Sequence, residues 1–104
     1  MKVAALAAVA LAVAASGCSE GGLSPSAERG RQVYLAHCIA CHNTDPAQPG
    51  SVGPPLRGSS RALLEAKVLN GTYPPGYMPK RPTQVMVPIP AVSPDLGALA
   101  DYLR

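Results

Sequence analysis

Proline decides where this chain can be regular. Twelve of its 104 residues are proline, and each lacks a backbone donor and fixes φ, so no helix interior or central strand runs through one. Most fall in two stretches. Residues 43–60 (NTDPAQPGSVGPPLRGSS) hold four prolines and three glycines, and residues 72–92 hold Pro74, Pro75, Pro79, Pro82, Pro88 and Pro90. Both read as loop, with no regular element longer than a turn. Room is left for three short helices. The first spans about 25–38, with Ser24 as cap, Pro25 at the first helical position, and Ala27, Gly30/Arg31, Tyr34, Leu35 and Cys38 near helical spacing. A second covers about 60–69, capped by Ser60, with Leu63, Leu64 and Val68 inward and Asn70-Gly71 closing it. The last opens with Ser93 as cap, Pro94 in the first turn and Asp95 facing the positive end of the helix dipole. Leu96, Leu99 and Leu103 follow at i, i+3 and i+7, with Tyr102 beside them. No strand pattern, internal repeat or heptad is present. The expected class is all-α.

Three short helices joined by such loops cannot close a core alone. The chain has no Phe and no Trp, and its four Tyr are the only aromatics. A domain this small buries only about 60–65% of its unfolded surface and usually needs a metal, a cofactor or cross-links. Long structureless loops become reasonable if they wrap something large and apolar that the polypeptide does not supply. Length excludes a multidomain enzyme, and 14% charged residues exclude a disordered charged tail. A net charge of +3, dispersed and without interleaved aromatics, excludes a nucleic-acid surface.

The front of the chain reads as an address. Lys2 precedes an uninterrupted apolar run, Val3–Ala15, shorter than the roughly 20 residues a spanning helix requires. A basic start, a short apolar middle and small residues at the end describe a secretory signal peptide. Ala15-Ser16-Gly17-Cys18 resembles the bacterial lipoprotein processing box. The resemblance implies removal of residues 1–17, a lipid anchor on Cys18, a flexible tether over 18–25 that includes Gly21-Gly22, and a domain over 26–104. It places the product outside the cytoplasm, on the periplasmic side of a bacterial membrane. Ordinary signal-peptidase cleavage, leaving a soluble periplasmic protein, is the alternative.

The missing apolar object is named at Cys38-Ile39-Ala40-Cys41-His42. Cys-x-x-Cys-His is the attachment signature of c-type haem: two thiols form thioethers with the vinyl groups, and the next residue turns its imidazole to the iron. Rival uses of these residues lack parts. No Cys or His follows His42 to complete a zinc site, and a thioredoxin-like dithiol needs a βαβ context. A plain disulfide between Cys38 and Cys41 suits only a chain without haem. His37, beside the attachment site, cannot reach the far haem face and reads as a partly exposed side chain. With no other histidine available, a high-potential carrier takes a methionine as sixth ligand. Two remain after the leader, Met78 (before Pro79) and Met86.

From about Ser26 to Arg104 the chain resembles the class I cytochromes c. Gly30 and Tyr34 match the positions where that family's first helix crosses its last, and Leu99 and Tyr102-Leu103 match the reciprocal face. Gly53-Pro54-Pro55-Leu56 resembles the family's Gly-Pro-x-Leu loop, which implies that the Pro54 carbonyl accepts a hydrogen bond from His42. The family's axial Met precedes the final helix by some six to nine residues; Met86 fits that spacing, and Met78 remains the alternative. The family's tryptophan at the haem propionates is missing, so Arg57, Arg61, Lys80, Arg81 and Tyr73 or Tyr77 are the candidate partners.

The resemblance implies a cytochrome c fold around one covalent haem, with His42 and a methionine on the iron and no catalytic residue. With both axial positions filled, single-electron transfer is what remains. The expected role is a monohaem carrier, free or as the electron-accepting subunit of a dehydrogenase or respiratory complex, with redox proteins rather than small substrates as partners. A haem enzyme or gas sensor with an open sixth position is the alternative.

Overall fold

The computed structural model describes residues 22–104. The expected leader, the Cys18 anchor and most of the tether lie outside the described residues. Helix α1 is Pro25–His37. The Ser24 side chain accepts from the Ala27 N–H at 3.1 Å, and Pro25 spends its missing donor where a helix has no partner for one. Cys38 is the C-terminal cap, its N–H donating to the Tyr34 carbonyl at 2.9 Å.

Helix α2 is shorter than the expected 60–69. It is α-helical only over Arg61–Leu64, where Ser60 accepts from the Leu63 N–H at 3.1 Å. The chain then widens into a π-helical turn over Glu65–Leu69. The wider turn lets both Asn70 and Thr72 donate their N–H groups to Ala66, and lets Ile89 donate to the Val68 carbonyl at 2.7 Å. Propensity within the segment carries no trace of these partners.

The expected start of the last helix at Ser93 is corrected. Pro90–Asp95 forms a 3₁₀ helix, and α3 runs over Leu96–Leu103. Ser93 caps nothing: α3 has no side-chain cap. The Asp95 carboxylate is instead held by Arg29 of α1, which donates through Nε and Nη2 at 3.1 Å each.

Helices α1 and α3 cross face to face. A Cβ on Gly30 would sit 2.5 Å from the Ala98 carbonyl carbon and closer still to its oxygen, so only glycine admits this approach. Around the crossing, Tyr34, Leu99 and Leu103 are fully buried, and the Tyr34 and Tyr102 rings meet edge to face at 5.6 Å. Leu64, Val68, Val92 and Leu96 extend this core toward α2 and the 3₁₀ turn. Ser26 donates to Asp101 at 2.6 Å, fastening the N-terminal end of α1 to α3. Gly58 donates its N–H to the Leu103 carbonyl at 2.6 Å, and Arg57 donates to the Tyr102 and Arg104 carbonyls. Both satisfy acceptors that the end of α3 would otherwise leave orphaned. Among the described residues there is no strand, and no helix long and apolar enough to cross a membrane.

Candidate functional site

The end of α1 delivers the Cys-x-x-Cys-His segment to a turn. Cys41 and His42 both donate their N–H groups back to the Cys38 carbonyl, at 3.4 and 3.0 Å. The proline-rich loop then folds over this turn: Val52 and Gly53 donate to the Cys41 carbonyl at 3.1 and 2.9 Å. Gly53 lies flat against the His42 ring. A Cβ there would come within 2.8 Å of Nε2 and nearer still to Cε1 and Nδ1.

His42 Nδ1 donates to the Pro54 carbonyl at 3.0 Å. A carbonyl can only accept, so this bond sets the tautomer: Nδ1 carries the proton and the Nε2 lone pair is free to ligate. Tyr34, buried in the helix crossing, donates its hydroxyl to the Asn43 carbonyl one residue beyond His42. The histidine is therefore held by its ring, its neighbouring backbone and the helix core together.

These residues open onto a cavity of about 310 Å³ between the helix core and the 72–92 segment, within the size class of cofactor sites. Cys38, Cys41, His42, Pro54 and Met86 all line it. Met86 is half-buried against the core, whereas Met78 is 84% exposed and lies outside this cavity. His37 is exposed at the end of α1 and reaches the cavity edge.

The donor set fits a covalent haem. Cys38 and Cys41 are not bridged to each other, and burial pushes the Cys38 thiol up to about 11. Among the described residues no three His, Cys, Asp or Glu side chains gather to hold a bare metal ion, so a structural zinc site lacks its ligands. One imidazole with a directed Nε2, two free thiols and an apolar chamber suit an iron porphyrin.

Of the sequence candidates for the propionates, the structure separates two from the rest. Arg57 stacks over the Tyr102 ring at 5.4 Å and is committed to the α3 terminus; Arg61 lies against Gly97 of α3. Neither lines the cavity, while Lys80, Arg81, Tyr73 and Tyr77 do. Lys67 also lines it, a residue that sequence reasoning passed over. It stands four residues after Leu63 and next to Val68, both of which also line the cavity.

No curated protein matches this chain. The family model described as "Cytochrome C oxidase, cbb3-type, subunit III" matches residues 25–103, nearly the whole of the described domain. The chain belongs to that family of class I c-type cytochromes, and the haem bound through Cys38 and Cys41 is what its loops enclose.

Proposed function

We propose that this monohaem cytochrome shuttles single electrons at the outer face of a bacterial membrane, with His42 and Met86 as the two axial ligands. The observation that carries the reading is that His42 and Met86 line one cavity while Met78 stands in solvent. When bound, the haem supplies a one-electron ferric/ferrous couple. The chain's own residues set its environment: Pro54 orients the imidazole, the apolar wall excludes water, and Met86 offers a soft thioether that raises the potential.

A peroxidase-like or gas-sensing role needs a distal acid–base pair. No carboxylate lines the cavity, and its second histidine, His37, neighbours the attachment segment. The leader and Cys18 support export and lipid anchoring, which hold the protein near its redox partners. The family's description, an oxidase subunit, supports a respiratory complex as partner; a dehydrogenase fits the same chemistry.

Ferric spectra of the Met86→Ala and Met78→Ala variants test the ligand set. Met86→Ala is expected to lose the methionine-to-iron charge-transfer band and turn high-spin, and Met78→Ala to keep the parent spectrum. The reverse pattern overturns the assignment, and ready carbon monoxide binding by the unsubstituted protein supports the open-site alternative. Replacing Cys18 with serine is expected to move the protein from the membrane to the soluble fraction.

A further inference from the structure

The cavity wall carries an unbalanced charge. Lys67, Lys80 and Arg81 line it, and no Asp or Glu does. The ion pairs among the described residues use Arg29, Arg31 and Arg104, so none of the three wall cations has a carboxylate partner there. All three come from one stretch of chain, beginning in the π turn.

Two tyrosines complete the wall. The Tyr73 and Tyr77 rings stack 5.4 Å apart at 14°, both lining the cavity, and the Lys67 ammonium sits over the Tyr73 ring at 4.5 Å. Lys80 Nζ donates to the Pro55 carbonyl at 2.8 Å. An ammonium has three donors, so two remain. Three cations that line one cavity without a carboxylate among them are complemented by a group that brings negative charge.

Haem brings two carboxylates. The thioethers to Cys38 and Cys41 hold the vinyl-bearing half of the ring, so the propionates belong to the other half. A partly buried carboxylate without a cation or donor is costly. We propose that Lys67, Lys80 and Arg81, with the Tyr73 and Tyr77 hydroxyls, receive the haem propionates in place of the tryptophan this chain lacks. The assignment rests on covalent haem at Cys38 and Cys41. It adds Lys67 and removes Arg57 and Arg61, which are engaged on α3.

The test uses the holoprotein and the variants Lys67→Gln, Lys80→Gln, Arg81→Gln, their triple combination, Lys67→Arg, and Arg61→Gln as control. Two readouts are taken at one pH: the propionate bending bands of the resonance Raman spectrum and the midpoint potential. Each single loss of a cation is expected to shift the propionate bands and lower the potential, because less positive charge then opposes the ferric state. The triple variant shifts both further, Lys67→Arg returns them toward the parent, and Arg61→Gln leaves the bands in place. Unmoved propionate bands in the triple variant overturn the proposal even if the potential falls, since a general surface-charge effect gives that result. Bands that move as far in Arg61→Gln overturn it as well. Haem staining on a denaturing gel reports attachment separately: an unstained parent protein refutes the thioether reading, whereas stained variants with unmoved bands refute only the wall.

Discussion

At the scale of single residues, His42 is the best-determined side chain in the site, and its determinants lie on two separate pieces of chain, the Gly53-Pro54 loop and α1. Pro54 fixes its proton, Gly53 gives its ring a flat floor, and Tyr34 anchors the backbone beside it. Gly53→Ala puts a methyl group into the ring. The expected cost is about 1–3 kcal/mol, the range for overpacking a tight site, together with a disturbed low-spin spectrum; denaturant unfolding and the ferric absorption spectrum check both. Tyr34 carries a pH signature. Burial pushes its phenol up to about 12 from the usual 10. A folded-state value above the unfolded one means that the contribution is fully present below about pH 10 and is lost as pH rises toward about 12. Tyr34→Phe is expected to flatten that alkaline decline and to cost about 0.5–1.5 kcal/mol at neutral pH, for the bond to the Asn43 carbonyl. Unfolding curves at neutral and alkaline pH, parent against variant, decide it. Cys38, Cys41 and His42 could be named from the sequence because the attachment signature spans five adjacent residues, and Pro54 followed from the resemblance of Gly53-Pro54-Pro55-Leu56 to a family loop. Lys67 was not named, because its contact with Tyr73 and its place on the cavity wall are made with residues outside its own segment.

At the scale of elements, caps written in adjacent residues were legible, and those decided by distant partners were not. Ser24 and Ser60 both accept the bond expected of a helix cap. Ser93, chemically the same residue before the same Pro, caps nothing, because the chain enters α3 through a 3₁₀ turn. Asp95, which stands at the cap position instead, has its carboxylate drawn to Arg29. Ser24→Ala is therefore expected to lower stability by about 1 kcal/mol, the usual worth of such a cap, and Ser93→Ala to leave it within about 0.5 kcal/mol. Thermal unfolding of the two variants separates them, and equal losses would refute the description of the α3 start. The π turn has the same origin: its carbonyls serve Asn70, Thr72 and Ile89, and the last of these lies some twenty residues downstream.

At the scale of the whole molecule, the apolar wall around the cavity has no polypeptide to pack against and must gain its burial from the haem. A Cys38→Ala/Cys41→Ala double variant is expected to lose its cooperative thermal transition, or to retain one at a far lower temperature, because a domain this small has little surplus stability without its cofactor. Circular dichroism on the colourless product checks this; an unchanged transition would show that the helix crossing stands by itself. The sequence alone determined where the chain could be helical, through proline exclusion and local caps. It also determined which two cysteines bind the haem covalently, because both kinds of information are local along the chain. Tertiary structure decided what depends on residues brought together from afar: Met86 seated in the cavity and Met78 in solvent, Arg57 turned to the α3 terminus, Lys67 turned to the cavity wall. A side chain's reach to a distant partner is set by packing and by which backbone groups are left to satisfy, and neither is written in the residues beside it.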